Sequence, residues 1–210
     1  MAKIKFFNKL ISNDEILVCD FDGVFVDSLD IKGKAFASLF ENNLNSNYEK
    51  IFEHHLKNPS LTRNEKISIY YKWSYNKLIT DLELQKFLKK FANITLDQIL
   101  NVKPSQFIIS LLKSRISKKN YILTRSCHEE VFNYIKEHDL FRFIELILDN
   151  KYNKKEGLLK IANINKVNPQ NIVFIGDSYF DKKAADEIGC KFIFYKVGEL
   201  KEVFFNNQNI

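Results

Sequence analysis

From Pro104 onward the chain repeats one pattern, a short apolar run followed by a segment of helical period. Phe107, Ile108, Leu111 and Leu112 fall on one helix face, and Tyr121–Leu123 then reads as a strand. Val131, Tyr134, Ile135 and His138 mark the next helix, and Ile144–Leu148 the next strand. Leu158, Leu159 and Ala162 lead to the strand Ile172–Ile175. Ala184, Ala185 and Ile188 form a helix that Gly189 ends, before a last strand at Phe192–Tyr195. Strands separated by single helices pair in parallel, because each helix returns the chain to the same end of the sheet. An earlier apolar run, Glu15–Cys19, supplies a first buried strand.

Between this first strand and the alternating region the signals are helical alone. Ile31–Leu39, Asn64–Trp73 and Leu82–Phe91 carry apolar residues at helical spacing, with Asp81 as an expected N-cap. Hydrophobic residues make up 45% of the chain, with only 6 Gly and 3 Pro, a composition that packs rather than stays disordered. Trp73 with Tyr70, Tyr71 and Tyr75 reads as the core of the helical part. The expected architecture is α/β: a Rossmann-like parallel sheet core with helices on both faces, plus an α-helical cap inserted after the first strand. Residues 1–28 and 103–210 form the core in this reading, and 29–102 the cap.

Two acidic clusters follow predicted strands. Asp20-Phe21-Asp22-Gly23 follows the first, and residues i and i+2 of an extended chain point the same way. Gly176-Asp177-Ser178-Tyr179-Phe180-Asp181 follows Ile172–Ile175. Asp181 alone reads as a helix N-cap, but that leaves Asp177 unexplained. Ligands of parallel α/β sheets bind at the carboxyl ends of the strands, where all four aspartates fall. Hard oxygen donors in that number suit Mg²⁺ with a phosphate, and crowded carboxylates call for a cation beside them. Thr124 ends the strand Tyr121–Leu123, where its hydroxyl either holds a phosphoryl oxygen or caps the helix beginning near Cys127. Lys154 and Lys155 open the helix after Ile144–Leu148, as phosphate-binding cations or as a solvated face.

The order DxDG, Thr, Lys, GDxxxD, each after a predicted strand, resembles the haloacid dehalogenase-like superfamily. The resemblance runs through Asp20–Ser28, Leu123-Thr124, Lys154 and Gly176–Asp181. It implies a Mg²⁺-dependent phosphohydrolase. Asp20 would be the nucleophile that becomes a phosphoaspartate, and Asp22 the general acid and base. Asp20, Asp22 through its backbone carbonyl, and Asp177 would hold the metal, with Asp181 supporting them. Thr124 and a lysine would hold the phosphoryl group, and the family spacing favours Lys154 over Lys155. The helical insert corresponds to a cap that closes over the site and excludes water.

Within the insert, Leu61-Thr62-Arg63-Asn64-Glu65-Lys66-Ile67 resembles the cap segment of β-phosphoglucomutase-like enzymes. There an arginine grips the non-reacting part of the substrate. Arg63, then Lys66, take that place here, with the plain alternative that Thr62 caps a helix and both cations are solvated. Arg125, next to Thr124, is a further candidate for substrate contact. The first motif with Lys32, Ala35 and Phe36 also resembles phosphatase-like proteins of surface-polysaccharide synthesis, which points to a phosphorylated sugar or similar small metabolite.

Net charge is +6, from 32 basic and 26 acidic residues, but the lysines are scattered. That suits an anionic ligand and gives no sign of nucleic-acid binding. The 3 cysteines make no CxxC pair, and Cys19 and Cys190 read as core residues. Residues 1–11 lack the apolar stretch of a secretion signal, and no run suits a membrane span. A cytoplasmic monomer or homodimer acting on a small phosphorylated substrate is expected. The alternatives are a phosphomutase of the β-phosphoglucomutase type and a non-catalytic binding protein of the same fold. A dehalogenase is disfavoured, since it needs neither Mg²⁺ nor a proton donor at Asp22.

Overall fold

The computed structural model describes residues 11–12, 14–41, 47–115 and 118–204, the last six as backbone alone. The expectation for the amino-terminal segment falls almost wholly outside them. The apolar runs become strands β1 (Ile16–Cys19), β2 (Asn120–Leu123), β3 (Leu146–Leu148), β4 (Ile172–Gly176) and β5 (Lys191–Lys196). A further strand, β6, spans Glu199–Phe204. The sheet order is β3-β2-β1-β4-β5-β6. The first five strands are parallel, while β6 runs antiparallel to β5. The purely parallel sheet expected from sequence thus gains an antiparallel edge. Gly198, at φ +81°, makes the hairpin turn that the helix-strand alternation gave no reason to expect.

In the α/β unit the helices are α5 (Gln106–Ser114), α6 (His128–Glu137), α7 (Lys154–Asn165) and α8 (Tyr179–Ile188). Strand alternation assigns the two faces. Val18, Leu123, Phe174 and Phe192 pack with Leu158 and Ile161 of α7 and with Ala184 and Ala185 of α8. The alternate residues Leu17, Cys19, Ile122, Ile175 and Ile193 are also buried. On their side Phe107 of α5 meets Tyr195 at 4.7 Å, and Tyr134 of α6 meets Phe21 at 5.2 Å. Each face therefore has its own helices, and the strands between are apolar on both sides.

The chain divides into two compact units, residues 1–27 with 103–210, and residues 28–102. The second unit contains α1 (Leu29–Ser38), α2 (Tyr48–Lys57), α3 (Arg63–Tyr75) and α4 (Asp81–Leu100). Its core gathers Phe36, Phe40, Ile51, Ile67, Tyr70, Tyr71 and Phe91. Thr80, not Asp81, caps α4: Thr80 and Glu83 form a capping box, and Asp81 is the first helical residue. In the α/β unit, β3 starts two residues later than expected, because Phe141–Phe143 forms a 3-10 turn ahead of it.

Candidate active site

Strand register sets the site. Cys19 lies beside Ile122 of β2 and Ile175 of β4. One residue on, Asp20 is level with Leu123 and Gly176, and its amide donates to the Ile175 carbonyl at 2.8 Å. The Thr124 amide donates to the Leu148 carbonyl of β3 at 2.9 Å. Four strand ends thus finish on one line. β1 stands where the topology turns, since β2 and β3 are laid down on one side of it and β4 to β6 on the other. Open α/β sheets bind ligands at such a point.

Lys154 is the hub. Asn153 caps α7 through a box with Glu156, which makes Lys154 the first helical residue. A cation there opposes the helix dipole, and two carboxylates compensate. Lys154 Nζ lies 2.6 Å from Asp20 Oδ2 and 3.0 Å from Asp181 Oδ1, and it donates to the Leu123 carbonyl at 2.9 Å. Burial works against the Lys154 charge, yet Asp181 and Asp20 outweigh it and raise the ammonium's pKa. Lys155 instead pairs with Glu187 at 3.0 Å on the surface. Of the two lysines, the structure brings Lys154 to the aspartates.

Asp181 belongs to the first turn of α8. The helix cap is Ser178, which the sequence left unassigned; Asp181 sits at the third position and returns its carboxylate to the Ser178 amide at 3.1 Å. The arrangement requires a glycine at 176, because a Cβ there would lie 2.5 Å from Asp181 Cβ. Asp20, Asp177 and Asp181 each bring an oxygen within 4.8 Å of the others. Asp181 Oδ1 is buried, and the Lys154 ammonium stands 3.0 Å from it. Burial, with Asp181 adding to it and Lys154 opposing, pushes the Asp20 carboxyl up to about 7. Asp177 is raised by burial and by the charges of Asp181 and Asp20. Three carboxylates facing one ammonium leave excess negative charge in a buried place, which a divalent cation relieves. The donor set therefore fits Mg²⁺.

Asp22 is not part of this 4.8 Å group, although its charge acts on both Asp20 and Asp177. β1 ends at Cys19, so the two-residue alternation does not reach it. Gly23, at φ +74°, turns the chain, and Phe25 returns its amide to the Phe21 carbonyl at 2.8 Å. The Asp22 carboxylate accepts from Ser126 Oγ at 2.6 Å. Thr124 is fully buried, and its hydroxyl accepts from the Ser126 amide at 3.0 Å. It does not cap α6, whose cap position is Cys127. Arg125 sends its guanidinium to the carbonyls of Tyr152 at 2.8 Å and Asn150 at 3.4 Å, in the loop that launches α7. Arg63 and Lys66 belong to the helical unit. The Arg63 guanidinium stacks 4.5 Å over Phe91, and Lys66 Nζ lies 3.0 Å from His55 Nδ1. Thr62 and Glu65 form the capping box of α3.

Sequence reasoning passed over Ser126 and the structural need for Gly176. A hydroxyl two residues past Thr124, and a glycine at the end of an otherwise bulky strand, were the available signals.

A model of the haloacid dehalogenase-like hydrolase family matches residues 17–195. Comparison with curated proteins gave no match. Among solved structures, one described as a predicted phosphoglycolate phosphatase from Haemophilus somnus is similar with a TM-score of 0.70 and 17% identity, over 89% of this chain and 88% of that one. A β-phosphoglucomutase from Clostridium difficile gives a TM-score of 0.67 at 21% identity, over 86% and 83%. A subfamily IA hydrolase from Geobacter sulfurreducens gives 0.58 at 15% identity, over 87% of each chain. No described helix is long and apolar enough to cross a membrane.

Proposed function

This chain belongs to the haloacid dehalogenase-like hydrolases, and from that premise we propose that it is a phosphatase of small phosphomonoesters with Asp20 as nucleophile. The observation that carries the reading is the grouping of Asp20, Asp177 and Asp181 around Lys154 at the carboxyl ends of β1 and β4. A structural ion pair needs one carboxylate per ammonium, and the excess in this cluster suits a bound divalent cation that can in turn hold an anionic ligand.

In the proposed reaction an Asp20 oxygen forms a bond to phosphorus as the bond to the leaving oxygen breaks. Asp22 gives that oxygen its proton, releasing an alcohol. Water then attacks the phosphoaspartate and passes a proton to Asp22, and inorganic phosphate leaves as the Asp20 carboxylate is restored. Lys154 keeps Asp20 ionised and oriented, while Thr124 faces the same rim as a donor to phosphoryl oxygens. Mg²⁺, held by Asp20, Asp177 and Asp181 with the Asp22 carbonyl, would neutralise charge on the phosphoryl oxygens.

Arg63 and Lys66 stand as the proposed contacts for the rest of the substrate, a phosphorylated sugar or similar metabolite. The similar structures bear the names of different reactions, so the choice of substrate rests on residues. A phosphomutase is the second reading, favoured by the sequence around Arg63; it would require a bisphosphate activator and release little phosphate. The test is phosphate release from a panel of sugar and small-acid phosphates, with and without Mg²⁺. Metal-dependent release that is lost in Asp20→Asn supports the proposal. Metal-independent release, or release that survives in Asp20→Asn, removes it.

A further inference from the structure

Ser126 has no place in the reaction as set out so far, yet it is among the most tightly held residues near the site. It lies between β2 and α6 and is 7% exposed. Its amide donates to Thr124 Oγ1 at 3.0 Å, and its carbonyl accepts from the Asn150 amide at 3.1 Å. The backbone is thereby fixed from both sides, by the strand end that carries Thr124 and by the loop that leads to Lys154. From this fixed point the hydroxyl donates to Asp22 Oδ2 at 2.6 Å. Asp22 itself sits in a tight turn, with Gly23 N–H bonded to the Val26 carbonyl at 2.9 Å. Its backbone is anchored, but a carboxyl still rotates about two side-chain bonds, and a short donor from a rigid neighbour suppresses that rotation.

We propose that Ser126 is a positioning residue for proton transfer: it holds the Asp22 carboxyl in the orientation that delivers its proton to the leaving oxygen. This rests on the phosphatase reading above. When Asp22 is a carboxylic acid, the hydroxyl of Ser126 is best accepted by the carbonyl oxygen, which puts the acidic proton on the other oxygen. Ser126 thus selects which oxygen of Asp22 acts. As the Asp20–phosphorus bond forms, the ester P–O bond breaks with its electron pair going to the leaving oxygen. The Asp22 proton moves to that oxygen, and Asp22 is left as the carboxylate that Ser126 continues to hold.

The demand for this proton depends on the leaving group. A dinitrophenolate departs without one, whereas an alkoxide needs it. The experiment measures kcat/KM for phosphomonoesters graded from dinitrophenyl to alkyl phosphate, in wild type, Ser126→Ala and Ser126→Thr. Ser126→Ala is expected to lose about tenfold or more on the alkyl ester, the worth of one hydrogen bond to a charged group, and to stay within about threefold on the dinitrophenyl ester. Ser126→Thr, which keeps the hydroxyl, restores the alkyl rate. A merely structural serine would slow every ester alike, so a uniform loss, or threonine failing to rescue, overturns the proposal. If Ser126→Ala does not fold, Ser126→Cys keeps the volume, donates weakly and supplies the same comparison. A wild-type enzyme that releases phosphate but gives the flat pattern defeats the Ser126 assignment alone. A wild type that cleaves no ester in the series removes the reaction itself and overturns both.

Discussion

Replacing Gly176 with alanine tests how the last carboxylate is delivered. The new methyl would lie 2.5 Å from Asp181 Cβ, 2.8 Å from its Cγ and 3.0 Å from Oδ2. Carbon pairs rest about 3.5–4.0 Å apart, so roughly 1 Å must be found. Rotating the Asp181 side chain does not find it, because the nearest atom is Cβ, fixed to the backbone of α8. The first turn of α8 has to move, and with it the Ser178–Asp181 capping box and the contact of Asp181 with Lys154. Overpacking of this kind costs about 1–3 kcal/mol and a lost cap about 1 kcal/mol, so unfolding stability should fall by about 2–4 kcal/mol. A displacement near 1 Å in a catalytic constellation costs on the order of 100-fold in rate. Urea unfolding and the rate of phosphate release, measured together, check both effects. Gly189→Ala is the control: at φ +79° with its nearest atom at 3.9 Å it strains the backbone alone. It should cost about 1–2 kcal/mol and leave the rate unchanged. If Gly176→Ala keeps the wild-type rate and a stability within about 0.5 kcal/mol, the close seat of α8 against β4 plays no part in placing Asp181, and the reasoning fails.

Lys154→Met should lower phosphate release by on the order of 100-fold or more, since it removes the charge that steadies Asp20; a variant as fast as wild type would contradict that role. Arg125→Ala should reduce kcat by about tenfold with KM nearly unchanged, because its guanidinium braces the loop before Lys154; a rise in KM at constant kcat would mark a substrate contact instead. The metal-free protein should lose stability as pH rises. Asp20 folded titrates at about 7, above its ordinary value of 3.8, so the folded state binds more protons in that window and its advantage fades towards neutrality, by at most about 4 kcal/mol. Asp177 is shifted the same way. Thermal melts in chelator between pH 5 and pH 8 read this directly, and added Mg²⁺ should raise the melting temperature more at the upper end. A flat profile would count against the buried carboxylate cluster.

The strands and the strand-end motifs were legible because both depend on local pattern. A buried parallel strand is a short apolar run, and a ligand-binding end leaves polar residues directly after it. What escaped the sequence depends on partners far along the chain. The helix Tyr48–Lys57 was passed over, although His54 and Tyr70 meet across two helices at 3.1 Å and Ile51 is wholly buried. The choice between Lys154 and Lys155 turns on which face of α7 looks at β1, and a single residue step, about 100° around the helix, sends the neighbouring lysine to Glu187. Alternation grouped Asp22 with Asp20, but the strand stops at Cys19, and neither the turn at Gly23 nor the contact of the Asp22 carboxylate with Ser126 follows from a strand pattern.

The strand order also governs when the site comes into being. β1 is made before the helical unit and both of its neighbours after it: β2 begins at Asn120 and β4 at Ile172. Until β2 is made Asp20 ends a strand with no sheet to join, and at that stage neither the compensating ammonium at Lys154 nor the carboxylate at Asp181 has been synthesised. During translation the helical unit, whose contacts are local, is free to fold first, while the central strand waits for partners more than a hundred residues downstream. The cluster of Asp20, Asp181 and Lys154 is therefore incomplete in every nascent chain shorter than the span from β1 to α8. A ribosome-bound series of increasing length should acquire helical structure early and the acidic cluster only at its end.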